Sequence, residues 1–373
     1  MGADTNVGLI QAHVGTVSIT TEGSIVDRYD NSAANIEARN LDLFTQTGTI
    51  GTSANPFDIN SAFFATGYVN ADAEQKVHLI ETFCALQAGM VTSRTDDVTL
   101  ETLVGSILDY HNDTANNVSG ININLIARGG DLGEELDALE IDSSNPSQGW
   151  LNASAVNSDI DIAETDGPLY VGTIFSGRGD IRLSVRDSAA TGEDLIMDTN
   201  ASIDAPLGSV LLRVGDDVDM QEGASINALN SITIRGDVDD LEAADADVGV
   251  GTNMEIYGDL SATDIFIYGR GDRDDILFTP ESLSGWTRIF GAGEDDVIVL
   301  DELPTLDLSN KFDGVEGTST LVTERISDLR DTVDVDGQSG TDRTTVIVSS
   351  ATDYIVNVTD TGAPNDGADR LPI

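Results

Sequence analysis

Ser202-Ile203-Asp204-Ala205 returns as Ser225-Ile226-Asn227-Ala228, 23 residues on, and Ser209-Val210-Leu211-Leu212-Arg213 returns as Ser231-Ile232-Thr233-Ile234-Arg235, 22 residues on. Each member of the second pair is a short apolar strand closed by a Gly-Asp turn, Gly215-Asp216 and Gly236-Asp237. In a strand, alternate side chains face inward, so each segment offers one apolar edge and one polar edge. Glycine and asparagine between strands supply the positive-φ turns. One such coil cannot bury its apolar edge alone, but stacked coils share a core and pair their strand edges with the next coil. A period near 22 residues therefore predicts an all-β chain, a right-handed parallel β-helix with one coil per period.

Working outward, a longer unit emerges at an offset of 82 residues. Gly23-Ser24-Ile25-Val26-Asp27, Asn35-Ile36, Asn40, Leu43, Gly48, Gly51 and Ile59 match Gly105-Ser106-Ile107-Leu108-Asp109, Asn117-Val118, Asn122, Leu125, Gly130, Gly133 and Ile141. Val69-Asn70-Ala71 matches Leu151-Asn152-Ala153, and Glu81-Thr82 matches Glu164-Thr165 one residue out of step. Such a unit holds three to four coils. The expected organisation is a β-helix over residues 1–260 with two 82-residue repeats, then an acidic β-rich continuation or cap over 261–373. A string of β-sandwiches is the alternative, but those repeat at about 100 residues and show no 22-residue echo. Helical signals are weak; the best, Asp72 to Ala88, contains the strand-like Val77-His78-Leu79-Ile80.

Composition narrows the partners. The formal charge is −48, from 66 acidic and 18 basic residues, with Lys76 and Lys311 the two lysines. Nucleic acid is excluded as a partner, because binding phosphates needs clustered Lys and Arg. An anionic membrane surface is disfavoured for the same reason, and no run of about 18 apolar residues predicts membrane insertion. Aromatics make up 5% of the chain, which suits thin β-layers. Cys84 is the single cysteine, so no internal disulfide forms, and its apolar run Phe83-Cys84-Ala85-Leu86 predicts a buried thiol. The polar start Met1-Gly2-Ala3-Asp4-Thr5 lacks a signal-peptide core. Both ends read as cuts through a continuing pattern, so a larger parent chain with further β-helix, and an upstream targeting signal, are expected.

Gly48-Thr49-Ile50-Gly51-Thr52-Ser53-Ala54-Asn55-Pro56, Gly208-Ser209-Val210-Leu211-Leu212 and Asn230-Ser231-Ile232-Thr233-Ile234 resemble phrases of filamentous-haemagglutinin-like bacterial exoproteins. The resemblance covers about the first two-thirds of the chain. It implies secretion or cell-surface display, an elongated stalk, and a role in attachment, biofilm or competition, with a host or neighbouring-cell glycan or protein as partner and no catalysis in the stalk. Gly291-Ala292-Gly293-Glu294-Asp295-Asp296-Val297-Ile298 resembles the nonapeptide of RTX calcium-binding β-rolls; Gly269-Arg270-Gly271-Asp272-Arg273-Asp274-Asp275-Ile276 and Gly337-Gln338-Ser339-Gly340-Thr341-Asp342 are looser copies. That resemblance implies calcium at Asp274, Asp275, Asp295, Asp296 and Asp342, since carboxylate and carbonyl oxygens suit this hard cation. The copies depart from the family pattern: they do not run in tandem, and Arg273 stands where the motif aspartate belongs. The bland reading is a set of solvated Asp-Gly turns.

Other motifs resolve into turns and composition. Arg-Gly-Asp occurs at Arg178, Arg235 and Arg270, each time at an expected strand-turn boundary. Asn-x-Ser/Thr occurs at Asn112, Asn117, Asn152, Asn200 and Asn357 in a chain rich in those residues. His13, His78 and His111 carry no zinc or nucleophile signature. A polysaccharide lyase or hydrolase, or a glycan-binding module, is the functional alternative. A hydrolase needs two carboxylates flanking a sugar cleft, and carboxylates abound. Lyases use a cationic side chain as base or charge stabiliser, and lysine is nearly absent. No catalytic residue is assigned, and a stalk or adhesive segment is the expected function.

Overall fold

A computed structural model describes residues 2–62, 66–188, 191–238, 250–269 and 273–290, and beyond these the strands Val297–Asp301, Lys311–Gly314, Thr320–Arg325, Val333–Gly337 and Val356–Asp360. The described residues hold strands and turns and no helix, and the strands stack in parallel as a β-solenoid of about 12 turns, roughly 23 residues each. The chain divides into two units, residues 1–183 and 184–373. The expected division near Leu260 falls inside the strand Asp259–Tyr268.

The sequence echoes turn out to be direct neighbours in the ladder. In the second unit Ser202–Ala205 pairs with Ser225–Ala228 residue for residue, and Val210–Arg213 pairs with Ile232–Arg235. The strands Leu195–Met197, Val218–Met220, Asn253–Ile256, Asp275–Phe278, Val297–Asp301 and Thr320–Arg325 form one parallel succession. The strands Lys311–Gly314, Val333–Gly337 and Val356–Asp360 pair in parallel among themselves.

In the first unit the 82-residue repeat is a repeat of coils. Ile25 pairs with Ile50 and Ile50 with Val77; in the second copy Ile107 pairs with Leu132 and Leu132 with Ile160. All six side chains are fully buried. Columns of like residues inside a parallel stack bring apolar surface against apolar surface at every level, and each buried Ile or Leu contributes roughly 2 kcal/mol before entropy is counted. Gly51 and Gly133 occupy the same turn with φ of +66° and +70°. A Cβ at either would strike a carbonyl of the coil above, that of His78 or of Asp161. Asp72 to Ala88 is strand and turn throughout.

Cys84 departs from expectation. Phe83, Cys84 and Ala85 form the turn between Val77–Glu81 and Leu86–Ser93, so the thiol is half-buried and Phe83 is 66% exposed. An apolar run at a corner faces outward because the coil has no interior there.

Candidate functional site

Comparing the two copies of the repeat separates groups that hold the coil from groups that do something else. Inside, the copies match bond for bond. Asp27 accepts from the backbone N–H of Tyr29 at 2.9 Å and of Asn31 at 3.0 Å; Asp109 accepts from His111 at 2.8 Å and Asp113 at 3.0 Å. The buried amide of Asn35 donates to Asp27 at 2.6 Å, and that of Asn117 to Asp109 at 2.6 Å. The backbone N–H of Asp58 donates to Asn35 Oδ1 at 3.1 Å, that of Glu140 to Asn117 Oδ1 at 3.0 Å. Each Asn thus ties its own coil to the next.

A glutamate then stands in a core column. Ile36 pairs with Ile59 and Ile59 with Glu81; Val118 pairs with Ile141 and Ile141 with Glu164. Neither glutamate has solvent exposure. Glu81 accepts from the Ser61 N–H at 2.8 Å and the Ser61 hydroxyl at 2.7 Å; Glu164 accepts from Ser143 at 2.9 and 2.5 Å. Burial pushes the Glu81 carboxyl up to about 7 against the pull of Ser61, and drives Glu164 well above the ordinary range. Asp58 is likewise pushed up to about 7, by burial and then by Asp27 and Glu101. Asp137 rises to about 6 through burial beside Asp109, Glu134 and Asp113.

Outside, the copies part company. The outward face of the strands Ile10–Thr21, Ile36–Thr45, Val69–Ala73 and Leu86–Ser93 carries an open depression of about 210 Å³, lined chiefly by Ser18, Thr20, Asp42, Phe44, Asn70, Asp72 and Met90. Register sets these groups in ladders: Ser18 beside Asp42 beside Asn70, and Thr20 beside Phe44 beside Asp72. Asn70 Nδ2 donates to Asp42 Oδ1 at 2.9 Å, and the Tyr68 hydroxyl donates to Asp42 Oδ2 at 3.4 Å. Arg94 pairs with Asp72 at 2.8 Å and Glu74 at 3.4 Å, with its guanidinium 5.1 Å from the Phe44 ring centre. Tyr68 packs edge-on against Tyr110, with ring centres 5.3 Å apart. One rim is therefore aromatic, and the floor offers carboxylate, amide and hydroxyl groups.

The second copy keeps the amide ladder, a hydroxyl beside it at Thr99 and an aromatic at the place of Tyr68, and changes most of the other groups. Asn152 Nδ2 donates to Asn124 Oδ1 at 3.1 Å, at the places of Asn70 and Asp42. Ile126, Ser154, Thr173 and Gly177 stand where Phe44, Asp72, Met90 and Arg94 stand in the first copy, and Trp150 replaces Tyr68.

Of the residues assigned to calcium, Asp274 and Asp275 are among the described ones. Asp274 is fully buried and accepts from the Thr252 N–H at 3.0 Å, acting as a turn clasp. Asp275 begins the next strand, points outward and lies 3.7 Å from Arg273. Asp295, Asp296 and Asp342 lie outside the described residues. Among the described residues no group of three or more His, Cys, Asp or Glu side chains is placed to hold a metal. Of the Arg-Gly-Asp triplets, Arg178-Gly179-Asp180 forms the turn before Ile181–Val185, and Arg270-Gly271-Asp272 lies outside the described residues. Asn117 is buried in the network above. Burial lowers the His78 pKa.

Comparison with protein-family models, with curated proteins and with solved structures finds no match to this chain.

Proposed function

We propose that the chain is a scaffold and adhesive segment of a larger secreted or cell-surface protein, a β-solenoid that carries a saccharide-contacting patch on its first repeat. The observation behind this reading is the asymmetry between the copies. The interior network is duplicated from one copy to the other, whereas Phe44, Asp72, Met90 and Arg94 are replaced in the second copy by Ile126, Ser154, Thr173 and Gly177. The depression is shallow and open, with an aromatic rim and a hydrogen-bonding floor, which suits docking one or two sugar rings by their apolar faces and hydroxyls. Its carboxylates are committed as acceptors, Asp42 to Asn70 and Tyr68, Asp72 to Arg94. That favours holding hydroxyl groups over exchanging protons with a glycosidic oxygen. The attachment role and the stalk reading agree with the haemagglutinin-like phrasing around Gly48 and Gly208.

The test is a panel of oligosaccharides titrated into the protein by calorimetry, with new reducing ends assayed in the same samples. Binding that is lost in Phe44→Ala and retained in Trp150→Ala, with no chain cleavage, supports the reading. Cleavage of a bound glycan, abolished by Asp42→Asn, would replace it with a hydrolase.

A further inference from the structure

The depression on the first repeat has a charge as well as a shape. Asp42 and Phe44 are alternate residues of the strand Ile36–Thr45, so both stand outward, about 7 Å apart along the strand. Asp72 lies beside Phe44 in the ladder, about 4.8 Å away across it. The half-buried Phe44 ring is thus set between two carboxylates. A carboxylate has about four acceptor sites. Asp42 uses one for the Asn70 amide at 2.9 Å and one for the Tyr68 hydroxyl at 3.4 Å, both neutral donors. Asp72 gives Oδ2 to Arg94 at 2.8 Å, while its Oδ1, enclosed by the protein, accepts no hydrogen bond. Both carboxylates keep acceptor capacity that the protein does not fill.

The cations of this face are engaged already. Arg94 lies between two carboxylates, Asp72 at 2.8 Å and Glu74 at 3.4 Å. Arg39, three residues before Asp42, donates Nε to the Thr66 carbonyl at 3.2 Å. The patch therefore sets Asp42, Asp72 and Glu74 against the Arg94 guanidinium, in a chain whose formal charge is −48. The coil itself does not require these charges. In the second copy Asn124 and Ser154 stand at the places of Asp42 and Asp72, and Asn124 still accepts from Asn152 at 3.1 Å.

We propose that the patch selects saccharides carrying a free, protonated amine, hexosamines in their deacetylated form, over the N-acetylated and uronic-acid counterparts. This rests on the saccharide reading of the patch and adds the charge of its ligand. A pyranose that rests an apolar face on Phe44 turns its ring substituents towards Asp42 along the strand and Asp72 across it. An ammonium brings three donors and no acceptor. It meets carboxylates with sites to spare, and charge-assisted bonds of this kind are shorter and stronger than neutral ones. An acetamide at the same place brings a donor without the charge. A uronate adds a like charge to a face whose guanidinium already holds two carboxylates.

The test is calorimetric titration of the full chain with three disaccharides: glucosamine with free amines, its N-acetylated form, and digalacturonate. It is run at about 0.15 M salt, to screen distant charges, and at about pH 6, where an amine of this class is protonated. The free-amine form should bind about fivefold tighter than the N-acetylated form, with digalacturonate weakest. Asp42→Asn and Asp72→Ser carry over residues that the second copy accommodates at the same places. Asp42→Asn should narrow the ratio between the first two ligands. Asp72→Ser should narrow it too, and should strengthen digalacturonate binding by releasing one of the two carboxylates on Arg94. Asp166→Asn removes the same charge at an exposed turn elsewhere in the unit and should leave the ratio at its wild-type value. A wild-type ratio near one overturns the proposal and leaves the saccharide patch standing. Failure of every saccharide to bind removes both. A ratio that falls as far in Asp166→Asn as in Asp42→Asn also overturns the proposal, as does a simple diamine binding as tightly as the disaccharide, because net charge and not the patch then holds the amine.

Discussion

The first and second copies of the 82-residue repeat differ in what they tolerate. Inward, Asn35 and Asn117, Ser61 and Ser143, Glu81 and Glu164 keep the same partners at nearly the same distances. Outward, Phe44, Asp72, Met90 and Arg94 become Ile126, Ser154, Thr173 and Gly177. A coil constrains its inner positions twice, through the column above and the column below, and its outer positions only through strand preference. Groups that change between copies of one repeat are therefore where a specific contact can be built without cost to the stack.

The sharpest way to break the comparison is at the turns. Gly51→Ala and Gly133→Ala each force a Cβ into positive φ and into a carbonyl of the next coil. Each should lower stability by roughly 3 kcal/mol or more in chemical denaturation, and by similar amounts in the two copies. A cost confined to one copy would show that the turns are not equivalent.

The buried glutamates come next. A folded pKa raised above the unfolded value means that the protonated form is the one the fold favours. Stability from Glu81 is complete below about pH 4.5 and lost as pH climbs through about 7, a loss of roughly 3 kcal/mol. Glu164 acts in the same direction and starts from the same pH, and Asp58 adds to it. Denaturation midpoints should therefore fall between pH 5 and about 8, and the fall should shrink in Glu81→Gln and again in the double variant with Glu164→Gln. A midpoint that rises over that range would contradict burial of these carboxyls.

Removing the coil-to-coil amide is a smaller change. Asn35→Ala and Asn117→Ala each leave a buried aspartate and a backbone N–H without their partner, and each should cost about 2 kcal/mol in the same denaturation experiment. The smallest effect belongs to the groove. Arg94 is about one-third exposed, so Arg94→Ala should change stability by less than about 1 kcal/mol while weakening saccharide binding.

Much of this fold was legible from residues 202–235, because ladder neighbours one coil apart see the same environment and converge on the same residues. The 82-residue unit was legible for the same reason. Glu81 and Glu164 were visible as an echo one residue out of step: the turn between Ala155 and Ile160 holds one residue more than that between Ala73 and Val77. Their burial was not legible, because a glutamate in strand alternation reads as an outward residue. The groove was not legible either. Ser18, Asp42, Asn70 and Met90 come from separate strands 20 to 28 residues apart, and only the ladder register makes them neighbours.

Amide hydrogen exchange tests the central claim most directly, that one interior serves two exteriors. The N–H groups of Asp58 and Glu140, held by Asn35 and Asn117, and those of Ser61 and Ser143, held by Glu81 and Glu164, form two matched pairs. Protection factors should agree within about tenfold, or about 1.4 kcal/mol, inside each pair, with Ser61 losing protection as pH rises through 7. Protection that differs between the copies by several orders of magnitude would contradict that claim.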